Sequence, residues 1–195
     1  MGIIKTLHGE ISFYEILYIC IIMNEKELNK DLRSMAIGCG ICKQFLDEWG
    51  KDWTVDHMIS QFFKGIDFYL KKRFVSNEYI KANFDRDFLR SKGALVDDKY
   101  SLLNPTQAIL IGNSNGTLRI NGYTVSTIYV IDDSHAKIIV KGNAFALVHA
   151  LGNARIDASL QGNAKCTVLR HSETASVIAS AGVKVTDELD YLKKI

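Results

Sequence analysis

Three copies of the tripeptide Gly-Asn-Ala recur at ten-residue spacing in the C-terminal half of the chain, and this repeat constrains the fold more than any other feature. The copies begin at Gly142, Gly152 and Gly162. Internal repeats of fixed period are typical of stacked architectures, in which each repeat buries its apolar side against its neighbours. Glycine and asparagine both tolerate positive φ, so each Gly-Asn pair predicts a tight corner between two short strands.

Alternate residues within each repeat are small or medium-sized and apolar. One degenerate copy precedes the three, and another, with one residue inserted, follows them. Side chains alternate between the two sides of a strand, so three columns of apolar residues predict one interior face. The columns are Ala136, Ala144, Ala154, Ala164 and Ala175; Ile138, Ala146, Ile156, Cys166 and Val177; and Val140, Val148, Ala158, Val168 and Ala179.

Two topologies fit this pattern. A ten-residue coil is too tight to close on itself, so in a β-solenoid two repeats would form one coil around a thin interior. In an antiparallel β-meander each Gly-Asn pair would be a hairpin turn. The small interior columns favour the solenoid, because a sheet that packs on helices usually presents bulkier residues to them. Segments 108–111, 117–120 and 123–131 are expected to join the stack, with Asn121-Gly122 as a turn.

The N-terminal half has helical periodicity instead. Apolar residues recur at three- and four-residue steps from Glu25 to Trp49, with a break expected near Gly38-Cys39-Gly40. Thr54 and Ser76 are residue types that favour the N-cap position, so a helix is expected to begin at each of them. A short helix is also expected shortly before the strand region.

The change of periodicity after Pro105 divides the chain. We predict an α+β protein in which a small N-terminal helical domain over 23–104 is followed by a C-terminal β-solenoid of about ten-residue repeats over 105–186. Residues 187–195 would form a C-terminal cap or tail, since the open end of a solenoid needs covering.

The first 22 residues are harder to place. The run Ile11–Ile22 is strongly apolar, but it carries Glu15 and is too short to span a bilayer. Met23 then opens a polar, helix-forming stretch that resembles a natural start. Residues 1–22 are therefore interpreted as a mis-called extension, with a docking segment and a membrane-surface anchor as the alternatives.

Charge and cysteine content narrow the function classes. The chain has 24 basic and 22 acidic residues, a net charge of +2, which argues against a dedicated nucleic-acid binder. Four cysteines form no disulfide framework, so the cytoplasm is the expected compartment. The pair Cys39 and Cys42 has the C-x-x-C spacing, but no second pair accompanies it, and we expect no metal and no cofactor.

Large apolar residues at outward positions of the repeats indicate a binding surface. A contiguous patch of this kind is normally covered by a partner. The leading hypothesis is therefore a non-enzymatic binding or assembly module, acting through a protein partner or self-association and not through a membrane. The candidate interaction surface comprises Ile139, Phe145, Leu147, Leu169 and Ile178.

The alternative hypothesis is an enzyme on a β-helix scaffold, either transferase-like or carbohydrate-active. Its candidate bases or ligands are His135, His149 and His171. A histidine needs an orienting partner and a substrate pocket for acid–base work. The three histidines occupy different columns of the ten-residue register, so no catalytic residue is assigned.

Binding of carbohydrate or nucleic acid along one wall of the solenoid is a third hypothesis. Carbohydrate sites usually expose aromatic rings, and the repeats offer few. The basic residues of the repeats are diluted along the sequence by four carboxylates, so nucleic acid is not expected. The basic residues are Lys137, Lys141, Arg155, Lys165 and Arg170, and the carboxylates are Asp132, Asp133, Asp157 and Glu173.

The Gly-Asn-Ala repeats over 132–180 resemble those of bacterial parallel β-helix proteins with GNA or DNA corners, some of them related to left-handed hexapeptide transferases. The period here is ten where hexapeptide repeats have six, so no acyltransferase activity is implied. The whole chain, including 96–105, resembles uncharacterised GNA-repeat β-solenoid-like proteins of gut anaerobes and their mobile elements. The implied setting is a phage- or mobile-element-associated accessory protein, and no activity is implied.

Overall fold

The computed structural model describes residues 4–6, 9–11, 13–49 and 52–195, with side chains described from Asn24 onward. Two compact units divide the chain, Met1–Val75 and Ser76–Ile195. The first unit is helical and the second contains the repeats.

The first unit holds a short antiparallel hairpin and four helices. Helix α1 begins ten residues before Met23 and continues through it, so the backbone of 13–22 is helical, while the side chains of this segment lie outside the described residues. The elements are β1 (Ile4–Thr6), β2 (Gly9–Ile11), α1 (Phe13–Gly38), α2 (Lys43–Trp49), α3 (Val55–Lys64) and α4 (Ile66–Lys72).

Local sequence signals determine where these helices begin and end. The predicted break is confirmed, since α1 ends at Gly38 and Gly40 has a φ of 81°. Thr54 caps α3 by accepting a hydrogen bond from the amide of His57 at 3.3 Å. The helix predicted to follow Thr54 is interrupted at Gly65, so it forms α3 and α4.

The core of this unit is aromatic and aliphatic. Tyr69 is fully buried and meets the ring of Phe62 edge-on, with centroids 4.9 Å apart. The buried Trp49 indole donates a hydrogen bond of 2.8 Å to the Asn29 side chain. No helix within the described residues is long and apolar enough to cross a membrane.

The second unit begins with two short helices, α5 (Asn77–Asn83) and α6 (Arg86–Ser91), capped by Ser76 and Asp85. Gly93 then turns the chain into the first strand with a φ of 82°. A Cβ atom at Gly93 would lie 2.3 Å from the carbonyl oxygen of Gln107, so only glycine fits this turn.

The rest of the unit is a β-solenoid with two walls, here called sheet I and sheet II. Every strand pair in both walls is parallel. Sheet I contains β4 (Lys99–Leu103), β6 (Asn115–Ile120), β8 (His135–Gly142), β10 (Arg155–Gly162) and β12 (Ser176–Ala179). Sheet II contains β3 (Ala94–Val96), β5 (Gln107–Ile111), β7 (Val125–Val130), β9 (Phe145–Ala150), β11 (Lys165–Arg170) and β13 (Lys184–Asp187).

Strand register confirms the solenoid and its coil length. Arg155 lies opposite His135, and Gly162 lies opposite Gly142, so one coil takes 20 residues and contains two repeats. The alternative of an antiparallel meander is wrong. A Gly-Asn corner turns the chain from one wall to the other instead of folding a strand back onto its neighbour.

The apolar columns face the interior, with one correction to their alignment. Ala136 lies opposite Ile156, not beside Ala154. Ser134, which is fully buried, takes the corner position equivalent to Ala154. The degenerate copy has Asp-Asp-Ser where the others have Gly-Asn-Ala. The first alanine of this copy, Ala136, therefore lies two residues beyond the corner position with which the sequence alignment had matched it. A shift of two keeps each side chain on the same face, and Ala136 is still fully buried.

The corners use the backbone freedom that the repeats predicted. Gly142 has a φ of 73° at the second position of a turn in which the amide of Ala144 donates to the carbonyl of Lys141 at 3.4 Å. Asp132 adopts the same region with a φ of 60°, and its carboxylate accepts a hydrogen bond of 2.9 Å from the Gly112 amide. The corners of successive coils are thereby hydrogen-bonded to one another.

The strands begin earlier than the sequence indicated. Strands β3 and β4 precede Pro105, where the solenoid was expected to start, and neither carries the Gly-Asn-Ala signature. At the other end, β13 reaches Asp187 and a one-turn helix, α7 (Tyr191–Lys194), follows.

Candidate functional site

The outer surface of sheet I carries a concentration of positive charge. Five cationic side chains point outward from four successive strands of sheet I, β4, β6, β8 and β10, and all five are exposed. Within the described part of the chain none of the five makes an ion pair. We call this surface the basic face, and its cations are Lys99, Arg119, Lys137, Lys141 and Arg155.

Strand register arranges three of these cations in a line. Arg119, Lys137 and Arg155 occupy three consecutive strands of sheet I, each displaced by one outward position from the next. Neighbouring strands lie about 4.8 Å apart and successive outward residues about 7 Å apart, so the Cα atoms in this diagonal are about 8 Å apart. The row is rigid because each strand is hydrogen-bonded to the next.

One carboxylate shares the basic face. Asp157 lies opposite Lys137 and contacts His135, with the Asp157 Oδ2 and His135 Nε2 atoms 2.8 Å apart. Both side chains of this pair are about 40% exposed. The pair therefore lies open on a flat wall, and it has no enclosed pocket in which to act as a catalytic base.

A shallow open depression of about 630 Å³ lies at one end of the basic face. Its lining is polar and comprises Lys99, Tyr100, Ser101, Asn115 and Thr117. The short side chains of neighbouring strands leave this space, and their hydroxyl and amide groups can hydrogen-bond to an anionic or hydroxylated ligand.

Several other cations of this unit are neutralised by carboxylates. Arg170 makes a two-point contact with Asp187, with distances of 2.6 and 2.8 Å. Lys81 donates to Asp97 at 2.6 Å, and this contact lowers the pKa of the Asp97 carboxyl. The cations of the basic face therefore differ from these other surface cations of the unit, which are paired with carboxylates.

Asp98 is the most deeply buried carboxylate of the unit and ties helix α6 to the first coil. Its side chain is 2% exposed and accepts hydrogen bonds from Arg90 and Arg86 and from the Lys99 amide. Burial alone would raise the pKa of Asp98, and the hydrogen bonds from Arg90 and Arg86 reverse this and hold the pKa well below its ordinary value. Because these contacts are internal, Asp98 is a structural anchor.

The outer surface of sheet II carries more large apolar and aromatic side chains than that of sheet I. Of the predicted interaction residues, Phe145, Leu147 and Leu169 point outward here and are partly buried. Ile139 and Ile178 instead point outward from sheet I, and Ile178 is 74% exposed. The five residues lie outside the β core as predicted, but they belong to two walls and do not form one patch.

Two of the candidate histidines meet on sheet II. His149 Nδ1 and His171 Nε2 are 2.9 Å apart, and both rings are buried. The stack continues on either side, with Tyr129 above His149 at a centroid distance of 4.6 Å and Tyr191 on His171 at 4.1 Å. Tyr191 belongs to α7, so this stack holds the C-terminal tail against sheet II.

When both rings are neutral, the hydrogen bonds of this pair select one tautomer for each. His171 Nδ1 lies 3.1 Å from the carbonyl oxygen of Glu188, which only accepts, so Nδ1 carries the proton. A neutral His171 then accepts through Nε2 the hydrogen bond that His149 Nδ1 donates. The nitrogens that face each other are thus occupied, which favours a structural role in docking the tail over a catalytic one.

The three candidate histidines do not converge on one site. His135 lies on sheet I, whereas His149 and His171 lie on sheet II. Among the residues that the structure describes, no group of three or more His, Cys, Asp or Glu side chains could hold a metal ion. Cys39 and Cys42 are free thiols at the turn after α1.

Sequence reasoning missed the basic face, although the signal for it was present. The three carboxylates Asp132, Asp133 and Glu173 lie in corners between the walls, so they do not dilute the cations of sheet I. Alternate repeats belong to the same wall, so grouping their outward residues separately assigns each charged side chain to sheet I or to sheet II. That step required the 20-residue coil to be established: two repeats per coil were expected for the solenoid, but the antiparallel meander was still open.

The fold and surfaces define a two-walled parallel β-solenoid joined to a helical unit. No protein family model matches the sequence, and neither a curated protein nor a solved structure matches it.

Proposed function

We propose that the protein is a non-enzymatic binding and assembly module whose contact surface is the open C-terminal end of the solenoid. The supporting observation is the last layer of the interior. Val185 lies opposite Val168 and continues its interior column, yet Val185 is 44% exposed whereas Val168 is fully buried. Ala179, opposite the buried Ala158, is exposed as well.

The backbone at this end is also available for pairing. Strands β12 and β13 are the last strands of their sheets, so each has one unpaired edge. Such edges are templates for strand addition, and apolar side chains beside them strengthen the pairing. Further apolar groups at this end are exposed, namely Ile178 and Leu189.

A second copy of the chain is the partner that this surface suits most simply. Two open ends related by a two-fold axis would bury their interior columns against each other, and an isologous contact of this kind closes at a dimer. The resemblance of the whole chain to uncharacterised GNA-repeat proteins of gut anaerobes and their mobile elements suggests a phage or mobile-element setting for such a module.

Size-exclusion chromatography with light scattering tests the proposal. Wild type is expected to be a dimer, and Val185→Lys is expected to be monomeric because a charge at the edge opposes pairing. Val125→Lys is the matched control, since Val125 is 62% exposed but lies in an inner strand of sheet II. A wild type that stays monomeric at high concentration without a co-purifying partner would count against the proposal, as would equal effects of the two variants.

A further inference from the structure

Charge is sorted between the surfaces of the solenoid. The outward positions of sheet I hold five cations and the single carboxylate Asp157. The neighbouring carboxylates Asp132, Asp133 and Glu173 lie in the corners. A net charge of +2 for the whole chain thus conceals one wall with an excess of about four positive charges.

Most side chains around the cations are hydrogen-bonding groups of modest size, and the apolar exceptions are Leu103, Ile139 and Ile178. The polar ones include Ser101, Asn115, Thr117, Ser159 and Gln161. Lysine and arginine together with serine, threonine, asparagine and glutamine are the side chains that contact phosphate and sugar in nucleic-acid complexes. The basic face offers this set on one flat, rigid surface.

The shape of the face favours a duplex over a single strand. Proteins that bind single strands stack bases on exposed aromatic rings. The outward columns of sheet I hold no Phe, Tyr or Trp side chain, and their one imidazole, His135, is paired with Asp157 at 2.8 Å. Tyr100, at the edge of the depression, has the Arg90 guanidinium 4.7 Å from its ring centre. A surface without stacking groups or a protruding helix can contact the phosphates of a duplex but cannot reach base edges.

We propose that the basic face binds the phosphate backbone of double-stranded nucleic acid without sequence preference. The cations span about 20 Å along the strands and about 14 Å across the four strands that carry them, from the outward repeat and the strand spacing. A duplex lying along the 20 Å direction carries about twelve phosphates over that length, so four or five of them can be contacted by the five cations. The binding surface is distinct from the open end, and each proposal can fail without the other.

Fluorescence anisotropy with a random-sequence DNA duplex measures this binding. Four to five phosphate contacts predict a slope of log K against log salt near −4, so raising the salt from about 50 to about 200 mM weakens binding by roughly 250-fold. The double variant Lys137→Gln/Arg155→Gln should lose about two units of this slope, together with at least tenfold in affinity at the lower salt.

A matched pair of cations provides the control. Lys165 and Lys184 are exposed and point outward from sheet II, so Lys165→Gln/Lys184→Gln makes the same change in net charge away from the basic face. This control should bind as wild type does. Asp157→Asn removes the carboxylate from the face and should tighten binding, a gain that a misfolded variant would not produce.

Three outcomes would overturn the proposal. Equal weakening by the two double variants would mean that net charge alone governs binding. Tighter binding to a single-stranded oligonucleotide than to the duplex would contradict the argument from the lack of Phe, Tyr and Trp at the outward positions. Binding to vesicles of anionic phospholipid without binding to the duplex would assign the face to a membrane surface.

Discussion

Replacing Ile138 by alanine tests the interior of the solenoid directly. Ile138 is fully buried in β8, which lies between β6 and β10 in sheet I. The substitution removes three carbon atoms, and the neighbouring strands cannot close the cavity because hydrogen bonds hold them about 4.8 Å apart. We expect the unfolding free energy of the solenoid unit to fall by about 4 kcal/mol, towards the upper end of the range of about 2–5 kcal/mol for buried aliphatic side chains.

Ile139→Ala is the matched control for this substitution. Ile139 is the next residue of the same strand, points outward and is only partly buried, so its truncation should cost about 1 kcal/mol. Hydrogen exchange of the β8 and β10 amides is the assay, because protected core amides report the opening of the solenoid itself. A loss of about 4 kcal/mol accelerates their exchange almost a thousandfold, at tenfold for every 1.4 kcal/mol or so.

The reasoning is refuted if the two variants lose equal protection, or if Ile139→Ala loses more. Either result would mean that side chains at alternate positions do not separate into a dry interior and an outer surface. The interior columns that define the coils would then be wrong. The basic face would be wrong as well, because it consists of the outward residues that alternate with those columns.

Two further predictions concern the first coil and its corners. Because the pKa of Asp98 is held low in the folded state, its stabilising contribution is fully present above the unfolded pKa of about 4 and is lost as the pH falls through the folded value. Thermal melts should therefore show Asp98→Asn well below wild type at neutral pH, with a gap that narrows towards about pH 2. Gly93→Ala should destabilise by about 2 kcal/mol more than Gly122→Ala, since both have positive φ but only the first places a Cβ against a carbonyl oxygen. Equal melting temperatures for the two glycine variants would contradict this.

The repeats made the solenoid predictable because interior and corner positions obey simple rules. A corner such as Gly142 needs positive φ, and an interior position such as Ala146 needs a small apolar side chain. Both requirements recur in every coil, so they are visible as a period. Strands β3 and β4 were not predicted for the same reason. They form the first layer of the stack, and their sequences contain neither the Gly-Asn corner nor the small apolar columns in full.

The meeting of His149 with His171 was not predictable from the columns. One extra residue follows His171 before Ala175, so the last repeat departs from the ten-residue spacing that aligned the others. His171 also lies just beyond the end of β11, where the chain approaches the tail. Contacts that depend on a strand end and on a tail have no counterpart in earlier coils, so the repeat pattern cannot predict them.

In a β-solenoid the charge on one wall need not follow the net charge of the whole chain, so net charge alone is a poor guide to binding partners. Half of the residues in each strand point into the interior, where packing constrains them. The corner residues form the turns, where the backbone φ constrains them. Outward positions are constrained by neither, and the coil period places them in register on one wall or the other. Lys137 and Asp133 are close in sequence, yet one lies on the basic face and the other in a corner. A nearly neutral chain can therefore present a strongly cationic wall, and its binding partners are better inferred from the outward columns of each wall than from the sum of its charges.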